Sequence, residues 1–178
     1  MEQKRFLKEK LCLKVNCAKS AVAKPTKRKF LGFTFFMGKD DLKRCIAPKS
    51  IERFKNKIRI LTNRLRGNNV GKVVHDLRVY LMGWRNYFGF AQMPSVLKSL
   101  DGWIRRRLRR YLWKQWKTCS RRKQMLIKLG IARVQAGKTA ASSKGFWRMA
   151  GSPVLSMALS IKYFDSLGLP NLSASNSV

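Results

Sequence analysis

The sequence predicts an α+β protein in which a short β segment at the N-terminus is followed by a mostly α-helical bundle. Three observations carry this. Apolar residues alternate with polar ones early in the chain, as a half-buried strand requires. From Pro48 onward the apolar spacing changes to three and four, the repeat of one helix face. With 45% hydrophobic and 11% aromatic residues, the chain has the material for a core that a disordered basic tail lacks.

Leu11, Leu13 and Val15 alternate with Cys12, Lys14 and Asn16, the pattern of a strand. After the basic linker 24–29, Phe30 to Phe36 and Leu42 to Ala47 flank Gly38-Lys39-Asp40-Asp41, which reads as a hairpin with a polar four-residue turn. Ile51, Phe54, Ile58, Leu61 and Leu65 mark a first helix, with Ser50 as its expected N-cap and Gly67 as its stop. Val70, Val73, Val74, Leu77, Leu81, Trp84 and Phe88 mark a second, ending near Gly89. A third begins after Pro94-Ser95 and places Leu97, Leu100, Ile104, Leu108, Tyr111 and Leu112 on one stripe. Short connections make these three helices bundle neighbours. Residues 136–144 are small and polar and read as a loop, and 168–178 as a flexible tail.

Charge narrows the function. The 40 Lys+Arg against 8 Asp+Glu give a formal net charge of +32, a surface that repels itself unless a polyanion covers it. Lysines and arginines that neutralise phosphates release condensed counterions, so nucleic acid is the natural partner. An anionic membrane surface is the competing partner. No uncharged run reaches the ~20 apolar residues of a membrane span, and the N-terminus has no apolar signal core, so an intracellular chain outside the membrane is expected.

The charge is clustered, with twelve Lys or Arg between Lys98 and Lys128 against one acid, Asp101. Arg105 and Arg109, Arg106 and Arg110, and Arg110 and Lys114 stand four apart, where like charges destabilise an isolated helix. A solvated face would be served equally well by mixed signs, whereas an RNA backbone calls for one sign. The candidate RNA-binding residues are Arg85, Arg105, Arg106, Arg109, Arg110, Lys114, Lys117, Arg121, Arg122 and Lys123. Of the aromatics, Trp84 and Phe88 sit on an apolar stripe and read as core, while Tyr87, Trp113 and Trp116 fall off the stripes and are candidate base-stacking platforms.

Catalytic sets are not assembled. Cys12, Cys17, Cys45 and Cys119 lack metal-ligand spacing, and the one histidine, His75, offers them little help, so reduced thiols and no metal site are expected. Asp40-Asp41 lies where a turn is expected and has no third carboxylate near it. There is no Ser-His-Asp set and no phosphate-cradling glycine loop.

At this level of detail the chain resembles the reverse transcriptase/maturase proteins encoded by group II introns. Leu13-Lys14-Val15-Asn16-Cys17-Ala18-Lys19-Ser20 is similar to their late palm segment, with Lys19 in the place of the family's basic residue. Phe30-Leu31-Gly32-Phe33 is similar to the palm hairpin that supports the primer end. Ile51 to Phe90, with Gly83-Trp84-Arg85-Asn86-Tyr87-Phe88, resembles the thumb or maturase domain. Lys144 to Arg148 and Ser152 to Leu155 resemble that domain's end. The resemblance implies a partial palm over 1–47, a helical thumb/maturase domain over 48–167 and a tail over 168–178. The fingers and the metal-binding aspartates of the palm have no counterpart here, and Asp40-Asp41 follows the hairpin motif that the catalytic pair should precede.

The resemblance thus implies binding without chemistry. The expected partner is structured RNA, above all group II intron RNA, with no cofactor of the chain's own, since magnesium belongs with the missing palm. A separate N-terminal reverse-transcriptase chain is a second expected partner. Two alternatives stay open: a non-functional remnant or split-enzyme piece, and a general basic nucleic-acid-binding protein.

Overall fold

The structure, a computed structural model, describes residues 5–6, 9–12, 14, 16, 24, 26, 28–38, 41–65 and 67–174. Strand β1 (Phe33–Met37) and strand β2 (Leu42–Ile46) form a two-stranded antiparallel sheet in which Phe33 faces Ile46 and Met37 faces Leu42. The hairpin is therefore as expected, closed by the Gly38 amide on the Asp41 carbonyl at 2.8 Å. The first strand expected from Leu11, Leu13 and Val15 is not found in its described part: Leu11 lies in a turn and Cys12 has a φ of 52°. Leu13 and Val15, and most of the palm-like segment 13–20, lie outside the described residues.

Ahead of β1 the chain makes a tight reversal, Phe30 and Phe33 exchanging backbone hydrogen bonds at 3.0 and 2.9 Å. Leu31 and Gly32 between them both have positive φ, 48° and 80°, as the type I′ turn demands. At Gly32 a side chain is also excluded by space, since a Cβ would stand 3.0 Å from the Ser50 hydroxyl and 3.2 Å from the Phe88 ring. The turn is thereby locked to the helices: Ala47 N–H and Ser50 Oγ both donate to the Gly32 carbonyl.

Helices α1 (Pro48–Leu61), α2 (Val70–Phe88) and α3 (Pro94–Gln115) follow as their stripes predict. Phe54, Ile58, Val73, Leu77, Leu81, Ile104 and Leu108 are almost fully buried between them. The ends of α1 differ from expectation. Its N-cap is Ala47, with Pro48 in the first turn where its missing N–H costs nothing, and Ser50 is spent on Gly32 instead. It ends at Leu61 because the buried Thr62 hydroxyl turns back onto the Ile58 carbonyl and accepts from Arg107, leaving Leu65 86% exposed and Gly67, with a φ of 67°, in the connection to α2.

The remainder is a run of shorter helices: α4 (Cys119–Lys128), α5 (Arg133–Ala140), α6 (Phe146–Met149), α7 (Pro153–Ala158) and α8 (Ile161–Ser166). Two expectations fail here. Residues 136–140 are helix, not loop, because Ala136 and Ala140 are small enough to bury completely where α5 lies against α4. The tail is not free up to residue 174: Leu169 and Leu172 are core residues, and 175–178 lie outside the described residues. Asp101 of α3 explains the docking. Buried to 3% exposure, it accepts from the amides of Leu172 (2.9 Å) and Ser173 (3.0 Å) and from the Ser173 hydroxyl (2.7 Å).

Candidate nucleic-acid interface

Helix α3 carries the densest charge, and the structure divides its cations by use. Arg105 donates to the Asn171 side chain, Arg106 to the Trp147 carbonyl (3.1 Å) and Arg109 to the Leu159 carbonyl at the end of α7 (3.0 Å). Arg85 of α2 reaches the Ala174 carbonyl. These residues, predicted to meet phosphates, are half-buried and hold the C-terminal segment onto the bundle. Burial, and then Arg105, lower the pKa of Arg109.

Arg106 and six further cations also crowd around aromatic rings, chiefly Trp103, Phe146 and Trp147. Arg59 and Arg107 stand 5.8 and 5.3 Å from the centre of Trp103. Arg64, Lys114 and Arg122 surround Phe146 at 5.1, 5.5 and 5.7 Å. Arg106 lies 4.4 Å over Trp147, with Arg110 at 5.9 Å. Ring quadrupoles attract cations, which is what permits such crowding. Gly151 permits the tightest contact, since a Cβ there would lie 2.8 Å from the Arg106 guanidinium.

Among the described residues no carboxylate pairs with this cluster, and the ion pair formed is Arg5 with Glu9, far along the chain. The electrostatic cost is visible at Arg107, whose pKa falls to about 10 through burial first and then Arg110, Arg59 and Arg64. Burial and Arg64 lower Arg110 as well. An arrangement of like charges held by aromatics and carbonyls is one that a polyanion relaxes. Lys114, Lys117 and Arg121, exposed where α3 passes into α4, are open to such a partner, and Lys123 lays its stem beside Gly137 of α5.

The cations that α1, α3 and α4 bring to this cluster lie in a stretch with a known counterpart: residues 51–129 match the family model of the group II intron, maturase-specific domain. Over that stretch the chain is similar to the group II intron maturase-specific domain. The match spans α1 from Ile51 through α4 and leaves the hairpin and the helices after α4 outside it. No curated protein matches the chain. Among the described residues no helix is long and apolar enough to cross a membrane, and no three His, Cys, Asp or Glu side chains are grouped to hold a metal ion.

Two of the stacking candidates, all of which lie in the matched stretch, are corrected. Trp113 and Trp116 are 1% and 5% exposed, packed edge to face at 5.9 Å, and so are core residues. They fall off the stripe facing α1 and α2 because α3 is buried on further sides, with the Arg122 guanidinium covering Trp113 at 4.8 Å. Tyr87 remains 51% exposed, but its hydroxyl donates to the Leu31 carbonyl at 2.8 Å and its ring stacks on Phe33. In the primer-grip-like turn, Phe30 and Leu31 are exposed at the tip, Gly32 is locked beneath and Phe33 packs on Phe88 at 5.1 Å. Sequence reasoning passed over Arg59, Arg64, Arg107, Trp103, Phe146 and Trp147 as a group, and spacing holds no signal for it because three separate segments build it.

Proposed function

We propose that this chain binds group II intron RNA and assists its folding and splicing through its basic helical domain, acting by binding and not by polymerase chemistry. The observation that carries this reading is the acid-free set of cations held on Trp103, Phe146 and Trp147, built largely from the maturase-specific domain. Fixed positive charge of this kind neutralises closely packed phosphates and lowers the repulsion that opposes RNA compaction. The test is binding of the purified chain to a group II intron and to a size-matched structured RNA across a salt series. Preference for the intron that survives at high salt supports the proposal. Equal affinity for both, vanishing together as salt rises, selects a general nucleic-acid-binding protein.

A second observation supports a further partner. Phe36, Met37 and Leu42 of the hairpin are 65%, 64% and 44% exposed on a sheet that has two strands among the described residues, a surface suited to additional strands. A reverse-transcriptase palm supplied by a separate chain fits it. Co-expression with such a fragment should yield a complex that survives size-exclusion chromatography, and independent elution of the two would refute this partner.

A further inference from the structure

A cleft of about 420 Å³ opens between α5, the 141–145 loop and the start of α7, outside the maturase-specific stretch. Lys138, Lys144 and Arg148, all exposed, line it, and among the described residues no carboxylate does. Thr139, Ser142 and Ser152 add hydroxyls, and Met149 and Val154 an apolar wall. Gly151 belongs to this lining and also receives the Arg106 guanidinium, so the cleft and the cation–aromatic cluster meet at one residue.

The dimensions and chemistry select a ligand. Clefts of a few hundred Å³ take one small organic group, whereas a duplex offers its phosphates as a broad convex surface. Cations without an acid favour a phosphate, and an apolar wall beside them favours a base or sugar face. We infer that the cleft receives one unpaired nucleotide of a bound RNA strand, its phosphate on Lys138, Lys144 and Arg148 and its base against Met149 and Val154. The adjacent phosphates then fall on the neighbouring arginine cluster, which makes a strand the better ligand than a free nucleotide. This inference rests on the RNA-binding function proposed above.

The test is photo-crosslinking of the full chain to a short oligouridine containing thiouridine, with the crosslinked peptides mapped by mass spectrometry. Crosslinks within 135–154 are expected. They should be lost in Ser142→Phe, which fills the cleft without changing charge, and affinity for the oligomer should fall about tenfold, as for the loss of one stacked base. Lys144→Gln, an exposed change that does not threaten folding, should weaken the same crosslinks. Duplex RNA should bind wild type and Ser142→Phe alike. Crosslinks confined to α3 and α4, unchanged in Ser142→Phe, overturn the cleft while leaving the RNA-binding function standing. Absence of any RNA binding overturns both. Displacement of the oligomer by uridine monophosphate at equal concentration overturns the strand in favour of a free nucleotide.

Discussion

The bundle of α1 to α3 and the segment from 130 to 174 are both folded, but by different means. In the first, Phe54, Leu77, Leu81, Ile104 and Leu108 interlock, and area removed from water holds the helices together. In the second, helices of four to eight residues are too short to be stable alone. They bury Leu155, Leu159, Phe164, Leu169 and Leu172 in the same core, and in addition they depend on polar side chains reaching out from α2 and α3: Arg85, Asp101, Arg105, Arg106 and Arg109. The comparison teaches that a basic helix face can be structural and electrostatic at once, since the arginines that dock the second region stand beside those that make the field.

The largest break in this comparison should come from the bundle. Leu77→Ala or Phe54→Ala should cost about 3–5 kcal/mol in urea unfolding, because each leaves a cavity among nearly inaccessible side chains. A smaller and local effect is expected of Asp101→Ala, about 2–3 kcal/mol, since it strands the Leu172 and Ser173 amides. Hydrogen exchange should then quicken in 165–174 while α1 and α2 stay protected, whereas uniform loss of protection would show the two regions to be one cooperative unit.

Arg107→Met should move in the opposite direction, stabilising by about 1 kcal/mol while weakening RNA affinity, because it removes a buried cation that has no anionic partner. The sign follows from its lowered pKa: the folded state binds this proton less well than the unfolded chain, so the charged group opposes folding at neutral pH. Above about pH 10 the folded guanidinium releases its proton and the advantage of the variant should shrink. Equal stability of the two proteins at both pH values would contradict this. Smallest of all, Tyr87→Phe loses the hydroxyl contact to Leu31 but keeps the ring, and should cost about 0.5–1 kcal/mol with RNA affinity unchanged in a filter-binding titration.

What could be read from the sequence follows the same division. The stripes of α1 to α3 were legible because burial on one face imposes a helical repeat, and the hairpin because its turn residues interrupt alternation. Helix α5 was not, since Ala136, Gly137 and Ala140 make contact by being small and leave no apolar stripe. The burial of Trp113 and Trp116 was hidden because the residues covering α3 come from beyond the three regular helices. One signal could have exposed the docked tail: Asp101, the lone acid in a basic helix, implies specific donors, and these proved to be backbone amides. The candidate site was half legible. The basic density of α3 and α4 was plain in the sequence, but which arginines are engaged internally depends on carbonyls at Trp147 and Leu159 that no local pattern foretells.

The Asp101–Leu172 contact joins residues 71 apart, and this sets an order of events on the ribosome. Helix α3 leaves the exit tunnel with its carboxylate and arginines in place well before the amides and carbonyls that will engage them have been synthesised. During that interval the nascent chain presents its barest positive face, and any polyanion beside the ribosome would meet α3 before the last segment has closed over it.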